Sequence, residues 1–242
     1  MGAVTGLAAE LIALRDRRHT KDHRFFDRWA EGTLTLEQMG RYMAQHYHLV
    51  QNILRPFGIA FAKAPADVQV FLLENLAEEY GLIGEGAAAP KNHNAILLRW
   101  TATCGLDADE VVRKTEPLPE LRALLDIMWR LVYNEPWQVW LATQAAMESQ
   151  MVGVQARTIP ALQRHYGFAA GDDRVEWFEE HLVADVEHGE KAFALVERHV
   201  EDPAMAARCK AAVAEALDAR WRYVDAVYRT YVSDLPEFSK TP

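Results

Sequence analysis

Apolar residues recur at intervals of three and four along almost the whole chain, which is the spacing of an α-helix with one buried face. No segment keeps the alternation of two that a half-buried strand requires. The chain of 242 residues shows no linker of disordered composition, so one all-α domain spanning residues 1–242 is expected. The periodicity predicts ten helices, near residues 4–16, 21–30, 35–63, 67–80, 91–103, 107–113, 118–132, 136–165, 173–200 and 203–232.

Three of these helices carry start signals. Thr35 is followed three residues later by Gln38, the pattern of a capping box in which each side chain bonds the other residue's backbone N–H. Asp202 precedes a proline at the first helical position. Asp172 or Asp173 is expected to cap the helix that begins just after them.

Charge and cysteine content exclude several classes of protein. The formal net charge is −9 and no basic run is present, which argues against nucleic acid as a partner. Cys104 and Cys209 are too few for a disulfide framework or a thiolate metal cage. The N-terminal segment resembles an amphipathic helix rather than a signal peptide, and no apolar run reaches membrane-spanning length. A cytoplasmic protein without membrane association is therefore expected.

The stretch EEHLVADVEHGE, residues 179–190, places His181, Asp185 and His188 at positions i, i+4 and i+7 of a predicted helix. A turn of about 100° per residue puts the three side chains within roughly 60° of one another, beside the apolar stripe of the same helix. Partly buried ionisable groups are costly unless they are paired or bind a metal. The residues alone leave two interpretations open, a metal-binding stripe or a hydrogen-bonded His–Asp pair beside a surface histidine.

Further candidate ligands lie on other predicted helices. Glu148 lies in apolar company between Met147 and Met151, where a lone carboxylate is costly, and an ion pair with Arg220 is the alternative. Glu79 shares a helical face with two leucines, whereas Glu78 is expected to be turned away by one residue step. His93 opens the next helix. The alternatives are a surface position for Glu79 and a helix cap for His93.

Three carboxylates and three imidazoles suit two iron-sized ions, because carboxylates can bridge metals in sites built inside helical bundles. We therefore expect a site with two such ions. The six candidate ligands are Glu79, His93, Glu148, His181, Asp185 and His188.

Nearly the full chain resembles the haem-oxygenase-like helical superfamily that includes pyrroloquinoline-quinone synthase and the thiaminase-2-type proteins. The local likeness is carried by NEPWQVWLATQAAMES, DVEHGEKAFALVERHV and AEALDARWRYVDAVY, and more weakly by EGTLTLEQMGRYMAQHYHLVQN. The spacing Glu79…His93, Glu148, then His181-x3-Asp185-x2-His188 resembles the ligand pattern of the di-iron oxidases and oxygenases of that superfamily. The resemblance implies a bundle of about seven main helices, two iron ions, O₂ and an external electron donor.

The chain also departs from the families that it resembles in ways that bear on chemistry. The quinone synthase is metal-free and lacks a counterpart of His181. It also has an active-site histidine where this chain has Glu79. Arg220 matches one of the basic residues that hold the substrate of the synthase. The para-aminobenzoate-forming members carry a sacrificial lysine after the Glu148 position, where this chain reads Gln-Ala-Arg-Thr over 155–158. That difference argues against self-consuming chemistry.

These observations predict a non-haem di-iron, O₂-dependent oxidase or oxygenase acting on a small amino-acid-, amine- or carboxylate-type substrate in a biosynthetic pathway. Glu79, Glu148 and His48 are the expected catalytic residues, although His48 could instead be an extra metal ligand, a substrate contact or a packed histidine. A mixed Mn/Fe centre uses the same ligands, and a homodimer is left open. A metal-free oxidase and a non-catalytic metal-binding protein are the alternatives. The expected substrate-binding residues are Gln45, His48, Leu49, Asn52 and Arg220.

Overall fold

The computed structural model describes residues 6–82 and 92–233, without the side chains of residues 183–187. No strand occurs in these ranges, which confirms the all-α class. A 3-10 turn spans Thr20–Asp22. The described helices are α1 (Leu7–Arg17), α2 (Arg24–Ala30), α3 (Leu36–Ile53), α4 (Arg55–Lys63), α5 (Ala66–Glu79), α6 (His93–Thr103), α7 (Ala108–Lys114), α8 (Pro119–Asn134), α9 (Trp137–Glu148), α10 (Gln150–His165), α11 (Glu176–His199) and α12 (Pro203–Tyr231).

Two predicted helices are each divided in the structure. The helix expected at 35–63 breaks at Leu54 into α3 and α4, because Pro56 lacks the N–H that would continue the ladder. The helix expected at 136–165 breaks at Ser149, whose hydroxyl and backbone N–H both donate to the Ala145 carbonyl. The hydroxyl bond competes with the helical ladder at that turn.

The predicted caps have mixed outcomes. The capping box is present, with Gln38 N donating to Thr35 Oγ1 and Thr35 N donating to Gln38 Oε1. Asp202 accepts from the Met205 N–H, as expected. The cap predicted at Asp172 or Asp173 is wrong, because α11 begins later, at Glu176, and has no side-chain cap. Asp172 instead accepts from the backbone N–H and guanidinium of Arg174.

Helix α11 contacts α5, α6, α9 and α10, while α12 packs along α8 and α9 on the other side of the bundle. Large aromatic side chains fill the interior, among them the fully buried Trp29, Trp100, Trp140 and Trp177. The last turn of α5, the first turn of α6 and the end of α9 all lie beside α11. The fold therefore brings together the parts of the chain that carry the predicted ligands.

Across the described ranges, every helix is too short or too polar to cross a membrane.

Candidate metal centre

Glu79 ends α5 and His93 begins α6, and the two side chains meet although they are 14 positions apart in sequence. His93 Nδ1 lies 2.9 Å from Glu79 Oε2, and both side chains are almost buried. This separation suits either a charge-assisted contact between the ring and the carboxylate or two neighbouring ligands of one metal ion.

His181 approaches the same point from α11. Its Nδ1 lies 2.7 Å from the Trp177 carbonyl oxygen, which suits an Nδ1–H donor and leaves the Nε2 lone pair for a metal. The rings of His181 and His93 are 4.6 Å apart between centroids. One ligand atom from each of Glu79, His93 and His181 lies within 4.8 Å of the other two. The three residues form the first candidate ligand cluster of the site.

A second cluster consists of Glu148, His188 and Glu78. His188 Nδ1 lies 3.5 Å from Glu148 Oε1, and His188 Nε2 lies 2.6 Å from Glu78 Oε2. Glu148 also accepts N–H bonds from Asn75 at 3.4 Å and from Gln144 at 3.2 Å. These two amides orient the Glu148 carboxylate towards His188.

Burial lowers the pKa values of these histidines, whereas nearby carboxylates raise those of two of them. Burial lowers the pKa of His181 well below its usual range, and the neighbouring His93 lowers it further, so this ring is neutral as a metal ligand must be. Burial also disfavours charge on His93 and His188, but nearby carboxylates outweigh it and raise both pKa values. Glu79 contributes most to the increase at His93, and Glu148 to that at His188.

The structure corrects the expected orientation of Glu78. Its carboxylate contacts His188 rather than pointing away from the site. Three rotatable bonds let a glutamate at the end of a helix reach round by one residue step, which a helical wheel does not represent. The side chain of Asp185, also predicted as a ligand, lies outside the described residues.

A partly open cavity of about 60 Å³ adjoins both clusters. Glu79, Glu148 and His181 line one side of it. The rest of the wall is largely apolar and includes Met147, Met151 and two of the predicted substrate-binding residues, Leu49 and the buried Arg220. Arg220 donates to the Met147 carbonyl oxygen at 2.7 Å and contacts Met151 Sδ at 2.9 Å.

Three of the predicted substrate-binding residues do not line this cavity. Gln45 donates to the Glu116 carbonyl oxygen and accepts from the Leu118 N–H, so it ties α3 to the segment before α8. The His48 side chain also faces the segment before α8, and burial lowers its pKa. Asn52 donates to the backbone oxygen of His48. The face of α3 that meets the cavity is rotated from the one we predicted.

That face carries His46, Leu49, Val50 and Ile53, at i, i+3, i+4 and i+7. His46 is 4 % exposed, and burial, followed by the charge of Arg220, lowers its pKa to about 3. Sequence analysis missed His46, although its spacing to three apolar residues is the signal that could have identified it.

A family model and several curated relatives match most of this chain. The family model for iron-containing redox enzymes matches residues 40–221. A 4-aminobenzoate synthase from Nitrosomonas europaea is 29 % identical over 229 residues, covering 90 % of this chain and 89 % of that protein. A 4-aminobenzoate synthase from Chlamydia trachomatis is 24 % identical over 196 residues, covering 81 % of each chain.

Solved structures show the same arrangement of helices. A TenA homologue from Pseudomonas syringae superposes with a TM-score of 0.77 at 17 % identity, over 92 % of this chain and 93 % of that one. A protein of unknown function with a heme-oxygenase-like fold, from Shewanella denitrificans, gives 0.74 at 18 % identity, over 97 % and 98 %. At these identities the likeness concerns the fold alone.

Proposed function

The chain belongs to the family of iron-containing redox enzymes, with the haem-oxygenase-like fold, and we propose that it is a non-haem di-iron enzyme that uses O₂ to oxidise a small organic substrate. One observation carries the proposal: ligand atoms of Glu79, His93 and His181 lie within 4.8 Å of one another. The Glu148–His188 pair lies beside them. Each cluster provides carboxylate oxygen and imidazole nitrogen for one ion.

The described donors fit iron. They are nitrogen and oxygen atoms without thiolate, a set that suits first-row ions. Glu79, His93 and His181 would hold one ion, and Glu148 and His188 the other, with Asp185 proposed beside them. Bound ferrous iron would supply the electrons that reduce O₂, and an external donor would restore them.

The chain's own residues prepare this site for chemistry. The Trp177 carbonyl fixes the tautomer and orientation of His181, while Asn75 and Gln144 orient Glu148. The largely apolar wall of the cavity would lower the polarity around the reacting groups. The guanidinium of Arg220 suits a substrate that carries a carboxylate.

Metal content after anaerobic reconstitution with ferrous iron tests the proposal. We expect about two iron ions per chain, since each cluster supplies ligands for one first-row ion. Glu148→Gln should reduce the iron content and abolish O₂ consumption with reductant. Glu74→Gln, at an exposed position on α5, is the matched control and should behave like the parent. A parent chain that never takes up iron above background would disprove the di-iron proposal, and O₂ consumption by that metal-free chain would favour the cofactorless alternative.

Formation of 4-aminobenzoate is a second candidate function, favoured by the names of the relatives. The resemblance implies a sacrificial lysine on the helix after Glu148, yet α10 contains none. We therefore expect no 4-aminobenzoate by mass spectrometry when the iron-loaded protein meets O₂ and reductant without added substrate. Its appearance would establish that function and an amine source outside α10.

A further inference from the structure

Two residues that directly follow proposed ligands touch each other. Gly189 follows His188 on α11, and Ser149 follows Glu148 at the junction of α9 and α10. Both are buried. A Cβ atom built on Gly189 would lie 2.8 Å from Ser149 Cβ, closer than real Cβ atoms approach.

Close approach, rather than backbone conformation, accounts for glycine at this position. Gly189 lies inside α11 and is not among the glycines with positive φ. Glycine inside a helix costs about 1 kcal/mol relative to alanine, so its presence needs a compensating reason. At Gly58 on α4, by contrast, an added Cβ would meet nothing within 4 Å.

The Ser149 side of the contact cannot easily give way. A Cβ atom is fixed by the backbone and does not move with side-chain rotation. The Ser149 hydroxyl donates to the Ala145 carbonyl at 2.7 Å, and its backbone N–H donates to the same oxygen at 3.0 Å. A methyl group at position 189 would therefore push the two backbones apart.

We propose that Gly189 is a positioning residue, whose contact with Ser149 sets the separation of Glu148 and His188 and with it the affinity for the second metal ion. The inference rests on the proposed di-iron function. Ordinary contact begins at 3.4 Å, so an alanine at position 189 requires a retreat of about 0.6 Å. Metal sites hold their ligand distances within about 0.2 Å. The displacement is therefore large enough to disturb this ion.

The effect should be selective for the second cluster. Gly189 is one residue from His188 but more than two helical turns from His181. Glu79 and His93 reach the site from α5 and α6, which do not contain the Gly189–Ser149 contact. The first ion should keep its affinity when the second loses it.

The test is an anaerobic titration with Co²⁺, followed by its visible absorption, of the parent, Gly189→Ala, Ser149→Gly and the double variant. The parent should bind two ions. Gly189→Ala should bind one normally and the second on the order of tenfold or more weakly. The double variant has no Cβ atom at position 149 and therefore no clash, so it should bind the second ion as tightly as the parent does. Gly58→Ala is the control and should bind like the parent.

A crystal structure of metal-free Gly189→Ala gives a second readout, in which the Glu148 Oε1–His188 Nδ1 distance should exceed the parent's 3.5 Å. The inference would be overturned if Gly189→Ala bound both ions as tightly as the parent. It would also be overturned if the double variant bound the second ion as weakly as Gly189→Ala alone. An unchanged distance would overturn it even if binding changed. A parent that binds no ion would disprove the di-iron function itself, which is a different failure.

Discussion

Two pairs of buried or nearly buried histidines shift in pKa in opposite directions, and glutamates adjoin the rings of only one pair. Among the described side chains, no carboxylate is in close contact with His46 or His19, and burial is the main reason their pKa values fall to about 3. His93 and His188 adjoin glutamates, and their pKa values rise. His46 and His19 are therefore neutral at pH 7, whereas the raised pKa values of His93 and His188 favour a proton with which an arriving metal ion must compete.

The His46 pKa predicts how stability changes with pH. The unfolded chain binds a proton at His46 near pH 6.5 and the folded chain does not until about pH 3, so its contribution is present above pH 6.5 and is lost as pH falls towards 3. His93 and His188 act with the opposite sign, because raised pKa values favour the folded state below pH 6.5 and lose that effect as pH rises. His46→Gln should remove up to about 1.4 kcal/mol per pH unit of the acid-side slope.

Urea unfolding of the metal-free parent and of His46→Gln, at pH values from 7.5 to 5, measures this slope. His165→Gln, at an exposed position, is the control and should keep the parent's slope. Equal slopes in the parent and His46→Gln would show that His46 does not titrate as the structure implies.

At the scale of single helices, the ends are decided by local hydrogen bonds. Thr35 and Gln38 satisfy each other's backbone donors at the start of α3, the helix that presents His46 to the cavity. Thr35→Ala should lower the free energy of unfolding by about 1 kcal/mol, through loss of the N-cap. Urea unfolding measures the change, with the exposed Thr230→Ala on α12 as control.

The two reciprocal hydrogen bonds between Thr35 and Gln38 allow a second test of this capping box. Since the two side chains form one capping box, Thr35→Ala combined with Gln38→Ala should cost less than the sum of the two single changes. Strict additivity would show that the two bonds act independently.

Across the whole molecule, the proposed ions would connect α5, α6, α9 and α11. A ligand that binds only the folded state stabilises it by about 2.7 kcal/mol at one hundred times its dissociation constant. The iron-loaded protein should therefore melt at a higher temperature than the metal-free protein under anaerobic conditions, and a chelator should reverse the shift. Identical melting curves would show that the ions do not link these helices.

Much of the helix pattern could be predicted because it depends on neighbours within a few residues. The apolar spacing locates α5, α6, α8, α11 and α12 to within a few residues of their observed ends. The capping box at Thr35 and the cap at Asp202 follow from side chains that bond their own helix. Periodicity does not resolve the breaks at Leu54 and Ser149, because the helical spacing continues on both sides of them.

The sequence by itself determined the helical class and nominated candidate ligands, because helical spacing and the chemistry of carboxylates and imidazoles are local properties. Tertiary structure decided which face of α3 meets the cavity, and it is the face of His46 rather than that of His48. Both faces fit a helical period of 3.6, so only packing against the neighbouring helices distinguishes them. Tertiary structure also brought Glu78 to His188 and Gly189 against Ser149. Both contacts join residues far apart in sequence, and their distances depend on how the helices pack.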